Sequence, residues 1–356
     1  MQVSLIMDNI VFSLQRMGGA SVYWGHLLEA AQADPTIDLT VIERSDGLNN
    51  KVRSNLNVTA PVILQDRVPR RVAQFVRASV PAAESLFHSS CYRLSRGKSC
   101  HDITTVHDFI WAYYTHGLNR AIHMAQIRDA VLGAEGVICV SESTKRDMLR
   151  FIPGASNKRI KVVYQGYDEA SYTYAPAERK DQVVYVGSRV AFYKNFWLSA
   201  EAVAASSDVT LVIVGAPLTD AEKTRLDALL PHRYVSKVFP SSAEVCQILR
   251  ESIALLYLSE YEGFGIPVLE GMASGAPVIA KNVSSIPEVA GEAGILLDEP
   301  TADGVAREIE RLRQDRSYRD DVVQKGLQQV KGFSWDRTTR ETLDFYHEMF
   351  QSRANR

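Results

Sequence analysis

The sequence predicts an α/β protein that contains two doubly wound parallel sheets, each in its own domain. The chain has 356 residues, which is too long for one ordinary core and suits two domains of roughly 150 to 200 residues. Short apolar runs alternate with helical patterns and with Gly or Ser turns, which is typical of βαβ units. A polar stretch, EASYTYAPAERKDQ at residues 169–182, separates two such series and is interpreted as a linker.

Each series contains five candidate strands. Those of the first series, which ends near VVYQGYD, are Val3–Met7, Leu39–Ile42, Ile103–Val106, Gly136–Val140 and Ile160–Val163. Those of the second are Val183–Val186, Leu211–Val214, Leu255–Tyr257, Val278–Ala280 and Gly294–Leu297. Because a doubly wound sheet binds ligands beyond the carboxyl ends of its strands, two facing sheets would create one central cleft, where we expect the chemistry.

The predicted domains are residues 1–168 and 169–335, followed by a C-terminal helix at residues 336–356. The tail FSWDRTTRETLDFYHEMF predicts a helix that starts at Ser334 or Asp336. Its apolar face contains Leu343, Phe345, Tyr346, Met349 and Phe350. The pattern alone leaves open whether this helix packs within its own domain or on the first one.

The composition excludes several classes of function. At 46% hydrophobic and 23% charged residues, with a net charge of −2, the chain is neither a disordered protein nor a general nucleic-acid binder. The four cysteines form no CxxC pair, which argues against a zinc knuckle or a disulfide framework. The start, MQVSLIMDNI, does not resemble a signal peptide, and no apolar run approaches about 18 residues. We therefore expect a cytoplasmic protein.

The most informative segment is Glu262–Glu270, EGFGIPVLE. Its order predicts a glycine-containing loop followed by a helix, with Pro267 in the first turn and Glu270 on the helix. A helix start attracts phosphate or sugar oxygens, and a carboxylate accepts hydrogen bonds from sugar hydroxyls. One site could therefore hold both halves of a nucleotide sugar. The alternative is a plain strand–turn–helix joint with two solvated glutamates.

This segment resembles the signature of two glutamates, separated by seven residues, of the retaining glycosyltransferases of family 4. The following stretch, SGAPVIAKNVSSIPEVAGEAGILLD, places Gly275, Pro277, Pro287, Glu288, Gly291 and Asp298 as that family does. The resemblance spans nearly the whole chain. It implies a GT-B fold, in which two Rossmann-like domains with doubly wound parallel sheets face a central cleft. The N-terminal domain would bind the acceptor, and the C-terminal domain would bind the donor. The C-terminal helix would cross back to the N-terminal domain.

The resemblance also implies a reaction. The segments TVHDF, and VGSR followed by YKN, most resemble the sequences of bacterial enzymes that build O-antigen and other surface polysaccharides. We therefore expect a metal-independent transfer of a hexose or deoxyhexose, with retention, from a nucleotide-diphosphate sugar. GDP-mannose or a related sugar is the expected donor, and a saccharide or polyprenol-linked saccharide the expected acceptor. The chain contains no DxD sequence, which argues against the metal-dependent GT-A class.

The segment VGSRVAFYKN follows a predicted strand and supplies Gly187, Ser188, Arg189 and Lys194. Fixed cations stabilise the charge that rises on a leaving diphosphate, so they can replace a metal ion. The resemblance implies that Arg189 and Lys194 bind the diphosphate. The alternative is a pair of solvated surface cations.

Within the Glu262–Glu270 segment, the resemblance assigns further donor contacts. Glu262 would hold the sugar hydroxyls, together with the amides of Phe264 and Gly265, and Glu270 would bind the ribose. Gly263 and Ile266 complete the expected donor-binding set. No nucleophile is evident, so the expected reaction is a front-face substitution, in which the leaving phosphate oxygen accepts the proton of the acceptor hydroxyl.

In the first domain, QRMGGASVYW places Gly18 and Gly19 before a helix that starts near Ala20, where the amides could bind a phosphate or sugar; a plain tight turn is the alternative. The resemblance assigns His107, in TTVHDF, to orientation of the donor sugar, against the alternative of a core histidine. The expected acceptor contacts are Asp108, His88 and Tyr92. His88 could instead pack at a strand end with Tyr92.

The segment RVPRRVAQFVR, Arg67 to Arg77, predicts a basic amphipathic helix. Such a helix could lie on anionic lipid at the inner face of the cytoplasmic membrane, or be an ordinary half-buried helix.

Two other functions remain open. The first is a sugar-nucleotide epimerase or hydrolase of the same fold. The second is a nucleotide-binding or NAD-dependent α/β protein, which the lack of a GxGxxG sequence disfavours.

Overall fold

The computed structural model describes residues 2–97 and 99–354, which form two compact units. The first unit lies within Met1–Gln165 and Trp335–Arg356, and the second is Gly166–Ser334. The last two residues of the predicted C-terminal helix, 355 and 356, lie outside the described residues, as does residue 1 of the predicted first domain.

Strands alternate with helices throughout both units. The strands are β1 Val3–Asp8, β2 Ile37–Glu43, β3 Val62–Leu64, β4 Ser85–Ser89, β5 Cys100–Val106, β6 Gly136–Cys139, β7 Arg159–Val162, β8 Gln182–Val186, β9 Thr210–Gly215, β10 Tyr234–Val238, β11 Ala254–Tyr257, β12 Val278–Lys281 and β13 Gly294–Leu297. The helices are α1 Ile10–Leu14, α2 Gly19–Ala33, α3 Lys51–Asn55, α4 Arg70–Ala73, α5 Ile110–Tyr114, α6 Gly117–Gly133, α7 Glu142–Phe151, α8 Phe196–Ala205, α9 Asp220–Leu229, α10 Ser242–Arg250, α11 Ile266–Ala273, α12 Ile286–Ala290, α13 Ala302–Gln314, α14 Arg316–Gln329 and α15 Trp335–Ala354. Short 3₁₀ turns occupy Ser45–Asn49, Pro153–Asn157, Phe192–Lys194, Gly291–Ala293 and Val330–Gly332.

Each unit is built on one sheet whose strand pairs are parallel. The first sheet has the order β3-β2-β1-β4-β5-β6-β7, and the second has the order β10-β9-β8-β11-β12-β13. The chain order reverses between β1 and β4 in the first sheet and between β8 and β11 in the second. At such a point the loops that leave the two strands diverge, which opens a crevice at the carboxyl edge of the sheet.

The predicted fold class is confirmed, and the ten predicted strands are present with ends shifted by at most three residues. Three strands were missed: β3, β4 and β10. Strands β3 and β10 are the outermost strands on one side of their sheets and are largely exposed, so they lack the apolar run of a central strand. Strand β4 is central and buried, but its sequence SLFHS has polar residues at both ends.

The core of the second unit shows why the apolar runs were informative. Val183, Leu211, Ile213, Leu256 and Ile279 are each fully buried in one cluster that covers the central strands. A parallel sheet is covered by helices on both faces, so its strands are apolar on both sides. The burial of these strands fixes the positions of the loops at their carboxyl ends.

The C-terminal helix α15 belongs to the first unit, where it contacts α2, β1 and β4. The Thr338 hydroxyl donates a hydrogen bond to the Tyr164 carbonyl at 2.7 Å. Phe345, Tyr346 and Met349, all of the predicted apolar face, are buried. This helix therefore completes the core of the first unit.

The predicted amphipathic helix over Arg67–Arg77 is wrong in extent, since α4 covers only Arg70–Ala73. Pro69 lacks an N–H group and disfavours helical geometry at the residue before it, so the helix cannot start earlier. Val72 and Phe75 are 48% and 50% exposed rather than packed on one inner face. In the described part of the chain, no helix combines the length and the hydrophobicity that crossing a membrane requires.

Candidate active site

The loop after β11 and the start of α11 form the centre of the candidate site in the second unit. Gly265 precedes α11 with φ 119°, a conformation that favours glycine, and Pro267 lies in the first turn as predicted. A Cβ atom at Gly265 would also approach the Ile286 side chain to 3.2 Å. Because β11 lies at the switch point beside β8, the two loops that leave these strands share one region.

Glu262 and Lys194 are brought together there. The Lys194 Nζ atom donates to both carboxylate oxygens of Glu262, at 2.6 and 2.7 Å. Glu262 is only 7% exposed, and a buried carboxylate requires such a partner. The sequence predicted both residues as site residues but did not predict their direct contact.

Two serines hold the Glu262 loop in place. The Glu262 amide donates to the Ser284 hydroxyl at 2.9 Å, and the buried Ser285 hydroxyl donates to the Glu262 and Phe264 carbonyls at 3.0 and 2.6 Å. These serines precede α12, in the segment NVSSIPE. Sequence analysis used only Pro287 and Glu288 of this segment, although the paired serines before a helix start were visible.

A second connection fixes the position of Lys194. Asn195, which has φ 50°, donates from its side-chain nitrogen to the Leu258 carbonyl at 2.9 Å and to the Glu260 carboxylate at 2.6 Å. The Glu260 carboxylate also pairs with Lys281 at 2.6 Å. The β8 and β11 loops are thereby bonded to each other. Asn195, Glu260 and Lys281 were missed, because single polar residues in loops carry no sequence pattern.

Arg189 lies in a different ion pair, although it precedes Lys194 by only five residues. Its guanidinium donates to Glu222 at 2.9 and 3.4 Å and to the Pro217 carbonyl at 2.8 Å. Glu222 also accepts bonds from the amide and hydroxyl of Thr219, in a capping box at the start of α9. Burial raises the pKa of Glu222, but the bonds from Arg189 and Thr219 outweigh it and lower the pKa overall. The structure thus separates the two predicted diphosphate ligands into two pairs.

Gly187 and Ser188 directly follow β8. Gly187 has φ 150°, which favours glycine, and the Ser188 carbonyl accepts a bond from the Tyr185 hydroxyl at 2.9 Å. A Cβ at Gly215, the neighbouring end of β9, would approach the Gly187 carbonyl oxygen to 3.1 Å. The lack of a side chain at Gly215 thus leaves room for the Gly187 carbonyl beside it.

Glu270, on α11, has a pKa near neutrality. Burial raises its pKa to about 7; a hydrogen bond from Tyr172 works in the opposite direction, and the charge of Asp168 raises the pKa further. Tyr172 is itself 7% exposed. Neither Tyr172, which lies within the predicted linker, nor Asp168, which precedes it, was predicted as a site residue, since both are about 100 residues from Glu270 in the chain.

In the first unit, Gly18 caps α2, which starts at Gly19 rather than near Ala20. The Gly18 amide donates to the Ser21 hydroxyl at 3.0 Å, and that hydroxyl donates to the Gly18 carbonyl at 2.9 Å. A Cβ atom at Gly18 would collide with the Gln15 side chain, whereas Gly19 faces open space. A turn that leads into a helix start is therefore present at the predicted place.

His107 follows β5 and lies near two of the predicted acceptor residues. Burial lowers the pKa of its imidazole to about 4, so the ring is neutral at pH 7. Its ring meets the Tyr23 ring edge-on at 5.1 Å. The Tyr92 hydroxyl hydrogen-bonds with the His107 backbone, and the Asp108 carboxylate accepts a bond from the Ile110 amide at 3.0 Å. The structure therefore groups His107, Asp108 and Tyr92.

His88 lies in the core, close enough to His107 for the charge of one ring to lower the pKa of the other. It has no exposed surface, and its two ring nitrogens bond with the Tyr346 hydroxyl at 2.6 Å and the Thr105 hydroxyl at 2.9 Å. Burial lowers its pKa to about 3. Of the two interpretations of His88, the structure shows packing at a strand end, with Tyr346 and not Tyr92 as the partner. The partner is 258 residues away in the chain, so no local pattern indicated it.

Two family models match adjacent parts of the chain. Residues 17–171 match the model described as Glycosyltransferase Family 4, and residues 168–329 match that of Glycosyl transferases group 1. The predicted family is thereby confirmed.

Curated relatives match parts of the chain. O-antigen chain mannosyltransferase B from Escherichia coli is 44% identical over 91 residues, which cover 26% of this chain and 24% of the relative. Alpha-maltose-1-phosphate synthase from Mycobacterium tuberculosis is 30% identical over 251 residues, 62% of this chain and 65% of the relative. The chain thus spans between about a quarter and two thirds of the length of these relatives.

Solved structures resemble the whole fold. Sucrose-phosphate synthase from Thermosynechococcus elongatus superposes with a TM-score of 0.76 at 17% identity, covering 99% of this chain and 100% of that one. Anabaena HepE, in complex with UDP, superposes with a TM-score of 0.71 at 16% identity, covering 98% and 100%. At this level of identity the likeness establishes the fold. The two family models, which together cover residues 17–329, show that the chain belongs to the family 4 glycosyltransferases, and the structural likeness shows that it has the GT-B fold.

Proposed function

We propose that this glycosyltransferase is a retaining, metal-independent enzyme that transfers a hexose or deoxyhexose from a nucleotide-diphosphate sugar to a saccharide acceptor. The observation that carries the proposal is the Lys194–Glu262 pair at the switch point of the second sheet. A cation for phosphate oxygens and a carboxylate for sugar hydroxyls are in direct contact there. The two halves of a nucleotide sugar need these two groups at neighbouring positions.

The proposed role of Lys194 is to bind the diphosphate and to stabilise the charge that grows on it as the glycosidic bond breaks. A fixed cation in a partly buried site stabilises such charge more strongly than water does. Lys194 is 20% exposed at its side chain and is held near Asn195 and the Glu260 loop. Arg189 would contribute a second cation after exchanging Glu222 for phosphate.

Glu262 and the amides of Phe264 and Gly265 would hold the sugar hydroxyls, and Glu270 would hold the ribose. In the front-face substitution, the bond between the anomeric carbon and the phosphate oxygen breaks while the acceptor oxygen bonds to the same face. The departing phosphate oxygen takes the proton of the acceptor hydroxyl. From the family resemblance we infer that His107 helps to orient the sugar; its lowered pKa supports a neutral hydrogen-bonding ring.

The donor we propose is GDP-mannose or a related sugar nucleotide. It is supported by the 44% identity with an O-antigen mannosyltransferase over 91 residues. The proposed product is a surface polysaccharide, built on a polyprenol-linked saccharide. A UDP sugar is the competing donor, since HepE was solved with UDP.

A lipid-linked acceptor requires access to a membrane, and we propose a peripheral contact through the segment around α4. Val72 and Phe75 are about half exposed, beside the exposed Arg70 and Arg71. Apolar side chains flanked by cations bind anionic lipid through both partial insertion and charge. Co-sedimentation with phosphatidylcholine vesicles, with and without phosphatidylglycerol, tests this contact. The Arg70→Gln/Arg71→Gln variant should lose the dependence on anionic lipid, and equal sedimentation with both vesicle types would refute the contact.

The proposed donor site is tested by a thermal-shift panel of GDP, UDP, ADP, dTDP and their sugars, with and without EDTA. A ligand that binds only the folded state raises the melting temperature. We expect one nucleotide diphosphate to stabilise the protein in EDTA. Stabilisation by NAD alone, or only with an added metal, would contradict the proposal. Product analysis without acceptor separates transfer from hydrolysis or epimerisation.

A further inference from the structure

A polar cavity lies at the edge of the second sheet that is opposite to the candidate donor site. Its volume is about 650 Å³, and its walls come from the segment 174–181 before β8, the ends of α10 and α11, and the region of α13 and α14. Tyr174 and Gly275 precede β8 and β12, whereas the candidate donor site follows β8 and β11. The cavity and the donor site therefore lie at opposite ends of the strands. They are separated by about 16 Å, the length of the five-residue strand β8.

The cavity is rich in cations. Six Lys or Arg side chains and three carboxylates line it among the described residues. The carboxylates are partly engaged, since Asp181 pairs with Arg313 at 2.8 Å and Asp320 pairs with Arg316 at 3.5 Å. Three lining arginines have no carboxylate within salt-bridge distance in the described part of the chain: Arg179, Arg250 and Arg319.

Backbone carbonyls satisfy these arginines only in part. Arg179 donates to the Ser252 carbonyl and, at 2.6 Å, to the Gly275 carbonyl. Arg319 donates to two carbonyls at the end of α13, at 2.9 and 3.4 Å, and Arg250 donates to Thr173 at 2.5 to 2.8 Å. A guanidinium has five N–H donors, so each arginine retains donors beyond these bonds.

Arg179 and Arg319 also repel each other. Burial lowers the pKa of the half-buried Arg179 and the charge of Arg319 lowers it further, whereas the charges of Tyr174 and Asp320 act in the opposite direction. Two close guanidinium groups repel each other, and a bound anion would attract both. Arginine groups of this kind bind phosphate through paired N–H···O bonds.

We propose that this cavity binds a phosphate ester of a sugar or another polyol. The phosphate would lie between Arg179 and Arg319, with Arg250 as a third donor. A volume of about 650 Å³ exceeds the size of a bare phosphate and suits a small organic ligand. Tyr174, whose ring lies against Gly275, offers an apolar wall. Asp320 and Glu178 of the lining can accept hydrogen bonds from hydroxyl groups.

The test must separate this cavity from the donor site. Isothermal titration calorimetry with glucose 1-phosphate and with inorganic phosphate is carried out on the full chain with Lys194→Ala, at constant ionic strength. Hydrogen–deuterium exchange then locates the binding. We expect glucose 1-phosphate to bind and to protect residues 174–181 and 313–324, with phosphate alone binding more weakly. No binding, or protection confined to residues 187–195 and 262–270, would overturn the proposal.

Two variants on the same helix provide a matched comparison. Arg319→Gln should weaken glucose 1-phosphate binding by about tenfold or more, because it removes a charge-assisted contact. Lys325→Gln removes the same charge at a side chain that is 51% exposed and lies outside the cavity lining, so the affinity should stay within about twofold. Equal weakening by both would indicate diffuse attraction and refute a defined site. If Arg319→Gln is unstable, Arg250→Gln makes the same test.

Discussion

Lys194 and Glu262 form a two-point ion pair, in which one ammonium nitrogen lies 2.6 and 2.7 Å from the two oxygens of one carboxylate. They are 68 residues apart in the chain and belong to the loops of two adjacent strands, β8 and β11. The pair keeps each charge compensated before substrate arrives. When a nucleotide sugar binds, each partner can turn one contact from the other partner to the substrate.

The first prediction concerns Glu262. The Glu262→Gln variant should lose at least about a hundredfold in kcat, because a neutral amide is a weaker acceptor for the sugar hydroxyls of the transition state. Nucleotide diphosphate affinity should change by only a few fold. Steady-state transfer assays and titration with the nucleotide measure the two effects. Glu299→Gln, at a carboxylate that is 91% exposed, is the matched control. Full activity of Glu262→Gln would remove Glu262 from the mechanism.

The second prediction concerns Lys194. The Lys194→Met variant should weaken binding of the nucleoside diphosphate by about tenfold or more, since it removes a charge-assisted hydrogen bond. Binding of the corresponding nucleoside should remain nearly unchanged, because the nucleoside carries no phosphate. Calorimetric titration with both ligands measures the difference, and Lys223→Met, at an exposed lysine paired with Asp220, is the control. An equal loss for nucleoside and diphosphate would indicate a distorted site rather than a lost phosphate contact.

The third prediction is a pH dependence from Glu270. Its pKa of about 7 means that the carboxylate, the proposed acceptor for ribose hydroxyls, forms only as the pH rises through neutrality. Nucleotide affinity should therefore increase by about tenfold between pH 6 and pH 8. The effect on folding has the opposite sign. The folded state keeps the proton between pH 4.5 and about 7, so the stability from this group is full below 4.5 and is lost as the pH rises through 7.

Two variants separate the Glu270 effect from titration of the nucleotide itself. Glu270→Gln should weaken binding and abolish the protein's share of the pH dependence. Tyr172→Phe should move the midpoint to higher pH, because the Tyr172 hydrogen bond lowers the pKa of Glu270. Affinity curves between pH 5.5 and 8.5 measure both. Identical curves for the wild type and Glu270→Gln would contradict the assignment.

The fourth prediction concerns the first unit. Tyr346→Phe should destabilise the protein by about 1 to 3 kcal/mol, because it leaves the buried His88 Nδ1 without its hydrogen-bond partner, the Tyr346 hydroxyl. Urea unfolding measures the change. The control is Tyr318→Phe, which removes a longer bond of 3.5 Å to Glu308 and should cost less than about 0.5 kcal/mol. A Tyr346→Phe variant with the same free energy of unfolding as the wild type would show that the His88–Tyr346 bond contributes no net stability.

The sequence was most informative where structure is local. Apolar runs predicted the central strands, and the order of Gly265, Pro267 and Glu270 predicted a loop that leads into a helix. It was least informative about side-chain partners. Neither the Arg189–Glu222 pair nor the Tyr172–Glu270 contact follows from any spacing, because folding alone brings such residues together.

The error at residues 67–77 has a different origin. A helical spacing of Val68, Val72, Phe75 and Val76 is visible there, but the backbone preference of Pro69 and of the residue before it prevents α4 from starting before Arg70. A single proline thus outweighed a regular hydrophobic pattern. Side-chain periodicity predicts a helix only where the backbone permits one.

The bonds that Arg189 makes to Glu222 and Pro217 bear on how the enzyme's affinity can change. A nucleotide that uses Arg189 must compete with a carboxylate already in place, so its measured affinity understates the strength of the contact it forms. If Arg189 binds the diphosphate as proposed, Glu222 would compete with the nucleotide for it. The helix α9 carries no proposed catalytic group. Substitutions on it could therefore change the affinity for the donor, to suit a scarce or an abundant supply, without changing the transfer reaction.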